Sequence, residues 1–295
     1  MPHSLGANQY GKAETRVVRI VRDTARHEIR DLNVSTSLRG DFEAAHVHGD
    51  QAQVLTTDTQ KNTAFAYAKL HGIDSPEDYG LALGRRLLEA TPAARQAQVR
   101  IEEYAWDRLG DHSFVRRGGP VRTAVVTVGR EGAHVLSGVQ DLVLLNSTDS
   151  EFKGFLREEF TTLPDADDRV LATSLVARWR HDTTEGVDWN ASYDAVLALL
   201  MRTFADTYSR ALQETLFTMG SAVLDAHPTV AELRFSAPNK HHFLVDFSKF
   251  DVEGLTNDGE VFIAADRPYG LIEAEVVREG SDPVADAWLA VPGFC

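Results

Sequence analysis

Apolar positions recur along the chain with two periods, and their order predicts strands, a helix pair and strands, twice over. Residues 15–22, Thr-Arg-Val-Val-Arg-Ile-Val-Arg, are rich in β-branched side chains that suit a pleated surface, and they predict a strand. From Asp31 to Leu38 the alternation is clear: Leu32, Val34, Thr36 and Leu38 face one way, Asp31, Asn33, Ser35 and Ser37 the other. Turns are expected at Arg39-Gly40-Asp41 and at Gly49-Asp50. Thr57 or Asp58 then stands as a cap before a helical run containing Ala64, Phe65, Ala68 and Leu70. Ser75-Pro76-Glu77-Asp78 opens a second helix, with a capping serine, proline at the first helical position and acids in the first turn. Leu81, Leu83, Leu87 and Leu88 supply its apolar face. Strands are expected again around 97–108 and 121–129, divided by His112-Ser113 and Gly118-Gly119-Pro120.

The second half replays this order. A strand is predicted from about Leu171 to Trp179, then a long apolar stretch at helical spacing from Tyr193 to Ala226, broken near Thr207–Ser209 into two helices. Strands follow at 229–236, 241–247, 260–265 and 270–278. The seam falls near 140–150, giving expected units of 1–143 and 144–295. Antiparallel strands with helices segregated to one face make the fold class α+β. The repeat is one of architecture, with no visible identity of residues.

Composition narrows the function classes. With 295 residues the chain can bury a core in each unit, and 43% hydrophobic with 25% charged residues is ordinary for a globular protein. A formal net charge of −14 argues against nucleic-acid binding, which needs a clustered basic surface, and against anionic membrane surfaces. No stretch approaches the ~18 apolar residues of a membrane span. Met-Pro-His-Ser-Leu-Gly lacks the charged-then-apolar pattern of a secretory signal. Cys295 is the only cysteine, so no disulfide forms within the chain, which fits a reducing compartment.

Candidate chemistry gathers at residues 236–250. Pro238 and Asn239 are turn formers, and past them Phe243, Val245 and Phe247 alternate with His242, Leu244 and Asp246 as in a strand. Asn239 and His241 share parity, so if the strand begins this early a carboxamide and an imidazole point to the same side at the rim of a sheet, where they can orient a small polar ligand and move protons; the plain alternative is an ordinary turn entering a core strand. His46, His48 and the His241-His242 pair raise the question of a metal site, but no cysteine lies near and no His-Glu-x-x-His helix exists. There is also no Gly-rich phosphate loop or dinucleotide fingerprint.

Pro-Asn-Lys-His-His-Phe at 238–243 resembles a signature of the urate oxidase (uricase) family, and further stretches match the same family in order. They are Tyr-Gly-Lys at 10–12, Thr-Asp-Thr-Gln-Lys-Asn at 57–62, Ser-Glu-Phe-Lys-Gly-Phe at 150–155, and Thr-Thr-Leu at 161–163. Asp-Arg at 168–169, Ala-Leu-Gln-Glu-Thr at 211–215 and Pro-Tyr-Gly-Leu-Ile-Glu at 268–273 complete them. The resemblance covers nearly the whole chain. It implies two tandem tunnelling-fold (T-fold) units, whose sheets close into a barrel between two subunits and stack into a homotetramer. It further implies oxidation of urate by O2 and water to 5-hydroxyisourate and hydrogen peroxide in purine degradation, without metal or organic cofactor.

Carried over position by position, the resemblance makes Lys12 and Thr57 a catalytic dyad linked to His241, and gives Asp58 and Leu212 main-chain contacts to substrate. Phe152 would stack on the purine, Arg169 and Gln213 grip its opposite edges, and Asn239 with Thr57 hold O2 over the other face. Lys12 would serve partly as a neutral amine. These residue types suit a flat, acidic heterocycle: an arginine fork donates in one plane, a glutamine amide both donates and accepts, and a phenyl ring stacks. A helix start at Thr57 would add partial positive charge. Taken singly, Lys12 reads as a solvated lysine, Thr57 as a plain cap, Phe152 as core, and Arg169 beside Asp167 and Asp168 as a surface ion pair. Gln213, within an apolar helix, is expected to be buried against a partner. Relatives that end in a peroxisomal tripeptide differ from Gly293-Phe294-Cys295, so a bacterial-type cytoplasmic enzyme is expected. The alternatives are a pterin-handling T-fold enzyme, of aldolase or cyclohydrolase type, and a purine-binding protein without catalysis.

Overall fold

The alternating stretches of the sequence become the two sides of one continuous sheet. The computed structural model describes residues 3–291, so Cys295 lies outside the described residues. The first half supplies β1 (Tyr10–Val21), β2 (Glu28–Gly40), a short α1 (Glu43–His48), α2 (Thr57–Leu70), α3 (Pro76–Glu89), β3 (Ala94–Glu103), a hairpin of β4 (Trp106–Arg108) and β5 (Phe114–Arg116), and β6 (Val121–Gly129). The second supplies β7 (Ala133–Asn146), β8 (Leu171–His181), α4 (Trp189–Asp206), α5 (Leu212–Ala226), β9 (Val230–Leu244), β10 (Phe262–Val277) and α6 (Ala285–Trp288). Eight strands pair in the order β1-β2-β3-β6-β7-β8-β9-β10, every neighbouring pair antiparallel.

At the tight turn 130–132, β6 passes directly to its neighbour β7. The expected boundary between 143 and 144 therefore falls inside β7, a strand that the sequence reading does not contain. Its missing signal is physical. Val135 turns to one side and Leu136 to the other, and the pairing with β8 shifts between Val139 and Leu142, so no single alternation runs through the strand.

Helices cover one side. Val34, Leu38, Ala97, Val99 and Ile101 pack with Ala64, Ala68, Tyr79, Leu83 and Leu87 of α2 and α3. Leu175, Trp179, Leu233 and Phe235 pack with Val196, Leu200, Leu216 and Met219 of α4 and α5. Gly80 of α3 lies so near β6 that a Cβ there would meet Val126 Cγ2 at 2.7 Å. On the opposite side the intervening residues include many polar and charged ones, among them the buried pair Arg180–Glu232 at 3.1 Å. The chain end returns across that side, with Ala287, Trp288 and Val291 against Val125 and Leu136.

Ser75 caps α3 by accepting from Asp78 N, as its sequence predicts. Thr56, one residue before the expected pair, caps α2 by accepting from Thr59 N, which makes Thr57 the first helical residue. Pro238 and Asn239 form no turn. The predicted strands 229–236 and 241–247 merge into β9, and Pro238 pairs with Leu271 of β10. On its other side the β8–β9 pairing goes from Val176↔Ser236 to Thr173↔Asn239, stepping over Pro238, which has no N–H to give. The strands predicted at 260–265 and 270–278 likewise merge into β10, with a register shift between Ala265 and Gly270.

Candidate active site

At one edge of the sheet, Lys12 pairs with Thr36 of β2 and immediately precedes a β-bulge, where the register shifts between Lys12 and Thr15. Bulges of this kind re-aim a side chain. Gly11 lets β1 run close against β2 beside the bulge, because a Cβ there would lie 1.8 Å from the Thr36 carbonyl oxygen. Thr57 and Asp58 begin α2 and are exposed, placing them where the helix leaves its first N–H groups without internal partners. The Asp58 carboxylate accepts from Lys61 and from Asn62 Nδ2. The Lys61 hydrogen bond first, then its charge and more weakly that of Lys12, hold the Asp58 carboxyl below its usual range. Lys12, Thr57 and Asp58 thus form one group.

The second group gathers near the far edge. Phe152 lies in the segment between β7 and β8, paired backbone to backbone with Ala166. Its ring is stacked on Phe155 with centroids 5.1 Å apart, and the Arg169 guanidinium lies over it, 4.9 Å from the centroid. Burial lowers the Arg169 pKa, and among the described residues its buried Nε has no hydrogen-bond partner. Neither neighbouring acid pairs with that guanidinium. Asp167 takes Lys153 Nζ at 2.8 Å, and Asp168 accepts from Thr148 Oγ1 and from the Ser150 and Arg169 N–H groups. Those bonds, Thr148 first, keep Asp168 below the usual carboxylate range and tie the two ends of the Phe152 segment together.

The same segment is held to the start of α5. Ser150 bridges Ser209 in parallel, Glu151 N donates to Ser209 O at 2.9 Å, and Thr215 Oγ1 donates to the buried Ser209 Oγ at 2.8 Å. Leu212 opens α5 and is buried in the core. Gln213 follows it and is exposed, correcting the expectation of a buried glutamine: it stands in the first turn, on the side away from the core. Asn239 is 9% exposed and lies between Thr173 of β8 and Gly270 of β10. His241 follows on the same strand, stacked on Phe243 at 5.7 Å.

Phe152, Arg169, Leu212, Gln213, Asn239 and His241 therefore belong to one end of the sheet, and Lys12, Thr57 and Asp58 to the other. Six strand-to-strand steps separate β1 from β9, roughly 30 Å along the sheet at about 4.8 Å each. A cavity of about 980 Å³ lined by Arg39, Gln96, Arg130 and His134 touches neither group. Among the described residues no cluster of three or more His, Cys, Asp or Glu side chains is placed to hold a metal ion, and His46 turns its Nδ1 to the Phe42 carbonyl at 2.9 Å. No described helix is long and apolar enough to cross a membrane.

Thr36, Gln60, Asp168, Ser209 and Thr215 support the elements that carry the candidate residues, a role that sequence reasoning assigned to none of them. Only Asp168 stood inside a matching stretch with a role assigned, that of an ion-pair partner.

Comparison with known proteins bears on the whole chain. A family model described as Uricase matches residues 8–127 and 135–273. A uricase from Arthrobacter globiformis is 49% identical over 99% of this chain and 95% of its own length. One from Dictyostelium discoideum is 35% identical over 93% of this chain and 97% of its own. The crystal structure of the Arthrobacter globiformis uricase superposes with a TM-score of 0.93, covering 98% of this chain and 99% of that one. A Bacillus fastidious uricase at 22% identity shares the fold with a TM-score of 0.78, over 94% of each chain.

Proposed function

The chain belongs to the uricase family, and from that premise we propose that it oxidises urate at a site completed by two copies of itself. The observation that carries the shared site is the separation of its two groups to opposite ends of one sheet, with β1 and β10 as open edges among the described residues. Open edges call for cover. A two-fold axis that sets β1 of one copy beside β10 of the other closes both edges at once. It also brings Lys12, Thr57 and Asp58 of each copy to the Phe152–His241 group of its partner. We place the division between the two T-fold units at 130–132, and take a tetramer of two such rings as the assembly.

Urate supplies the reducing power in the reaction. Urate, O2 and water become 5-hydroxyisourate and hydrogen peroxide, with two electrons passing from the purine to O2 and the water oxygen bonding to C5. The chain's residues deprotonate, orient and stabilise charge. Phe152 stacks on the ring, Arg169 donates in plane to a carbonyl and a deprotonated ring nitrogen, and Gln213 closes the opposite edge. Main-chain groups at Asp58 and Leu212 add contacts. Lys12, Thr57 and His241 move the protons, and Asn239 with Thr57 holds O2 and then the attacking water over the face away from Phe152. The buried Arg169 Nε gains a partner when an anion enters, which is how a chain of net charge −14 would hold a urate anion.

The direct test is loss of urate absorbance with stoichiometric O2 uptake and hydrogen peroxide release by purified protein treated with a strong chelator. Activity that disappeared and returned only with added metal or flavin would overturn a cofactor-free reaction. A purine-binding protein would show no turnover at all, and a pterin enzyme would turn over a pterin in place of urate. For the site itself, Arg169→Lys keeps the charge and loses the planar fork, so urate binding should weaken by about 1–3 kcal/mol. Unchanged affinity and rate in that variant would remove Arg169 from the site.

A further inference from the structure

We infer that Thr36 and Gln60 are positioning residues that hold Lys12 and the Thr57 end of α2 in fixed relation. The inference rests on the roles proposed above for Lys12 and Thr57. Those residues come from a strand and a helix that approach one another only at this edge. Ladder pairing joins β1 only to β2, where Lys12 stands opposite Thr36 as the last paired residue before the bulge at Ala13 and Glu14, and it does not reach the helix. Side chains take over. Lys12 N donates to Thr36 Oγ1 at 3.4 Å, and Glu14 N, at φ 55° in the same bulge, donates to Ser35 Oγ at 2.9 Å. Two hydroxyls of β2 thus receive the N–H groups at the start of the bulge and within it.

From Thr36 the connection continues to the helix. Thr36 Oγ1 donates to Gln60 Oε1 at 2.8 Å, and Gln60 Nε2 donates to Leu55 O at 3.3 Å. Gln60 N donates to Thr56 O at 3.0 Å, the first turn of α2. Gln60 is 0% exposed and Thr36 7%, so water does not compete for these bonds. The direction of the chain is fixed by chemistry. A hydroxyl that gives its one proton to Gln60 can only accept from Lys12, and a carboxamide whose oxygen faces Thr36 must turn its NH2 to Leu55. One hydroxyl and one amide therefore register the Lys12 backbone against Leu55 and Thr56, next to Thr57. Gly11 brings β1 within reach of Thr36, and no larger residue would fit there.

Buried polar side chains also arise for stability alone, and the two roles separate in kinetics. Positioning of a proton-transfer pair that contributes little to binding predicts a fall in kcat with KM nearly unchanged. Loss of folding lowers the amount of active protein and leaves kcat per folded site as it was.

The test compares Thr36→Val, Thr36→Ser and Gln60→Met with wild type and with Lys12→Ala, using full-length protein, urate as substrate and active sites counted by stoichiometric inhibitor titration. Thr36→Val, which keeps the shape and loses the hydroxyl, should lower kcat about tenfold or more with KM within about twofold. Thr36→Ser, which restores the hydroxyl, should recover wild-type kcat within about threefold. Gln60→Met should behave as Thr36→Val does and supplies the reading if Thr36→Val fails to fold. Wild-type kcat in Thr36→Val or Gln60→Met, beside an inactive Lys12→Ala, overturns this inference and leaves the proposed reaction intact. A fully active Lys12→Ala overturns the role of Lys12 itself. Equal losses in Thr36→Ser and Thr36→Val would assign the effect to packing, against the inference.

Discussion

Replacing Arg122 with alanine should cost about 3–5 kcal/mol of stability near pH 7, the scale on which removing one partner of a buried ion pair is felt. Arg122 Nη2 lies 2.7 Å from Glu77 Oε2, and Glu77 is 0% exposed. The other Glu77 oxygen accepts from Ser137 Oγ at 2.7 Å, and Ser137 Oγ lies 3.2 Å from His181 Nε2. Arg122 also donates to Asn190 Oδ1 at 2.7 Å and to the Trp189 carbonyl at 3.2 Å, with its guanidinium 4.5 Å from the Tyr193 ring centroid. The cluster spans α3 and β6 of the first unit and β7, β8 and α4 of the second. It is a polar clamp between the repeats, and alanine would leave the Glu77 carboxylate buried without its cation.

The pH dependence of that loss follows from Glu77. Burial, opposed by the Arg122 charge and the Ser137 hydrogen bond, raises its pKa above the ordinary 4.5. A carboxyl raised in the folded state binds its proton more tightly than in the unfolded chain. Its contribution is therefore full below 4.5 and is lost as pH rises through the raised value. Removing Arg122 takes away an opposing charge and widens that window, so the variant's deficit should be smaller near pH 5 than near pH 7. His181 works in the other direction. Burial, then the charge of His227, pushes its pKa down to about 4, so its contribution is lost as pH falls from 6.5 toward that value. Because both proteins carry that term, comparing variant with wild type at each pH isolates Glu77. Urea unfolding at the two pH values checks the prediction, and a deficit equal at both would contradict it.

How much of this was legible in the sequence depends on where the information lay. Ser75-Pro76 announced α3, and the break at Thr207–Ser209 separated α4 from α5, because caps and turns are local chemistry. β7 was not legible, since its alternation is interrupted by a register shift. Pro238 misled for a related reason: the residue reads as a turn former, yet the sheet accommodates it where one ladder steps over it. The candidate residues were legible through colinear motifs, and the surroundings of Arg169 show the limit of that reading. Nothing local distinguishes Asp167, which meets Lys153, from Asp168, which holds the backbone on both sides of the Phe152 segment. The bonds of Thr36 and Gln60 join residues 24 apart in the chain and exist only once β2 and α2 have met.

That Lys12, Thr57 and Asp58 sit at one end of an eight-stranded sheet, and the Phe152–His241 group at the other, is the feature on which the functional account turns. It leads to the second large effect. A chain with Lys12→Ala and Thr57→Ala should be inactive, and so should one with Arg169→Ala and His241→Ala. Each spoils every site of its own homo-oligomer. Co-expressed under two different affinity tags and purified through both, the two chains form a mixed dimer in which one site takes all four substitutions and the other takes none. That oligomer should oxidise urate at the rate of its intact sites. Doubly tagged oligomers that are folded, demonstrably mixed and without activity would show instead that each site is built within one chain.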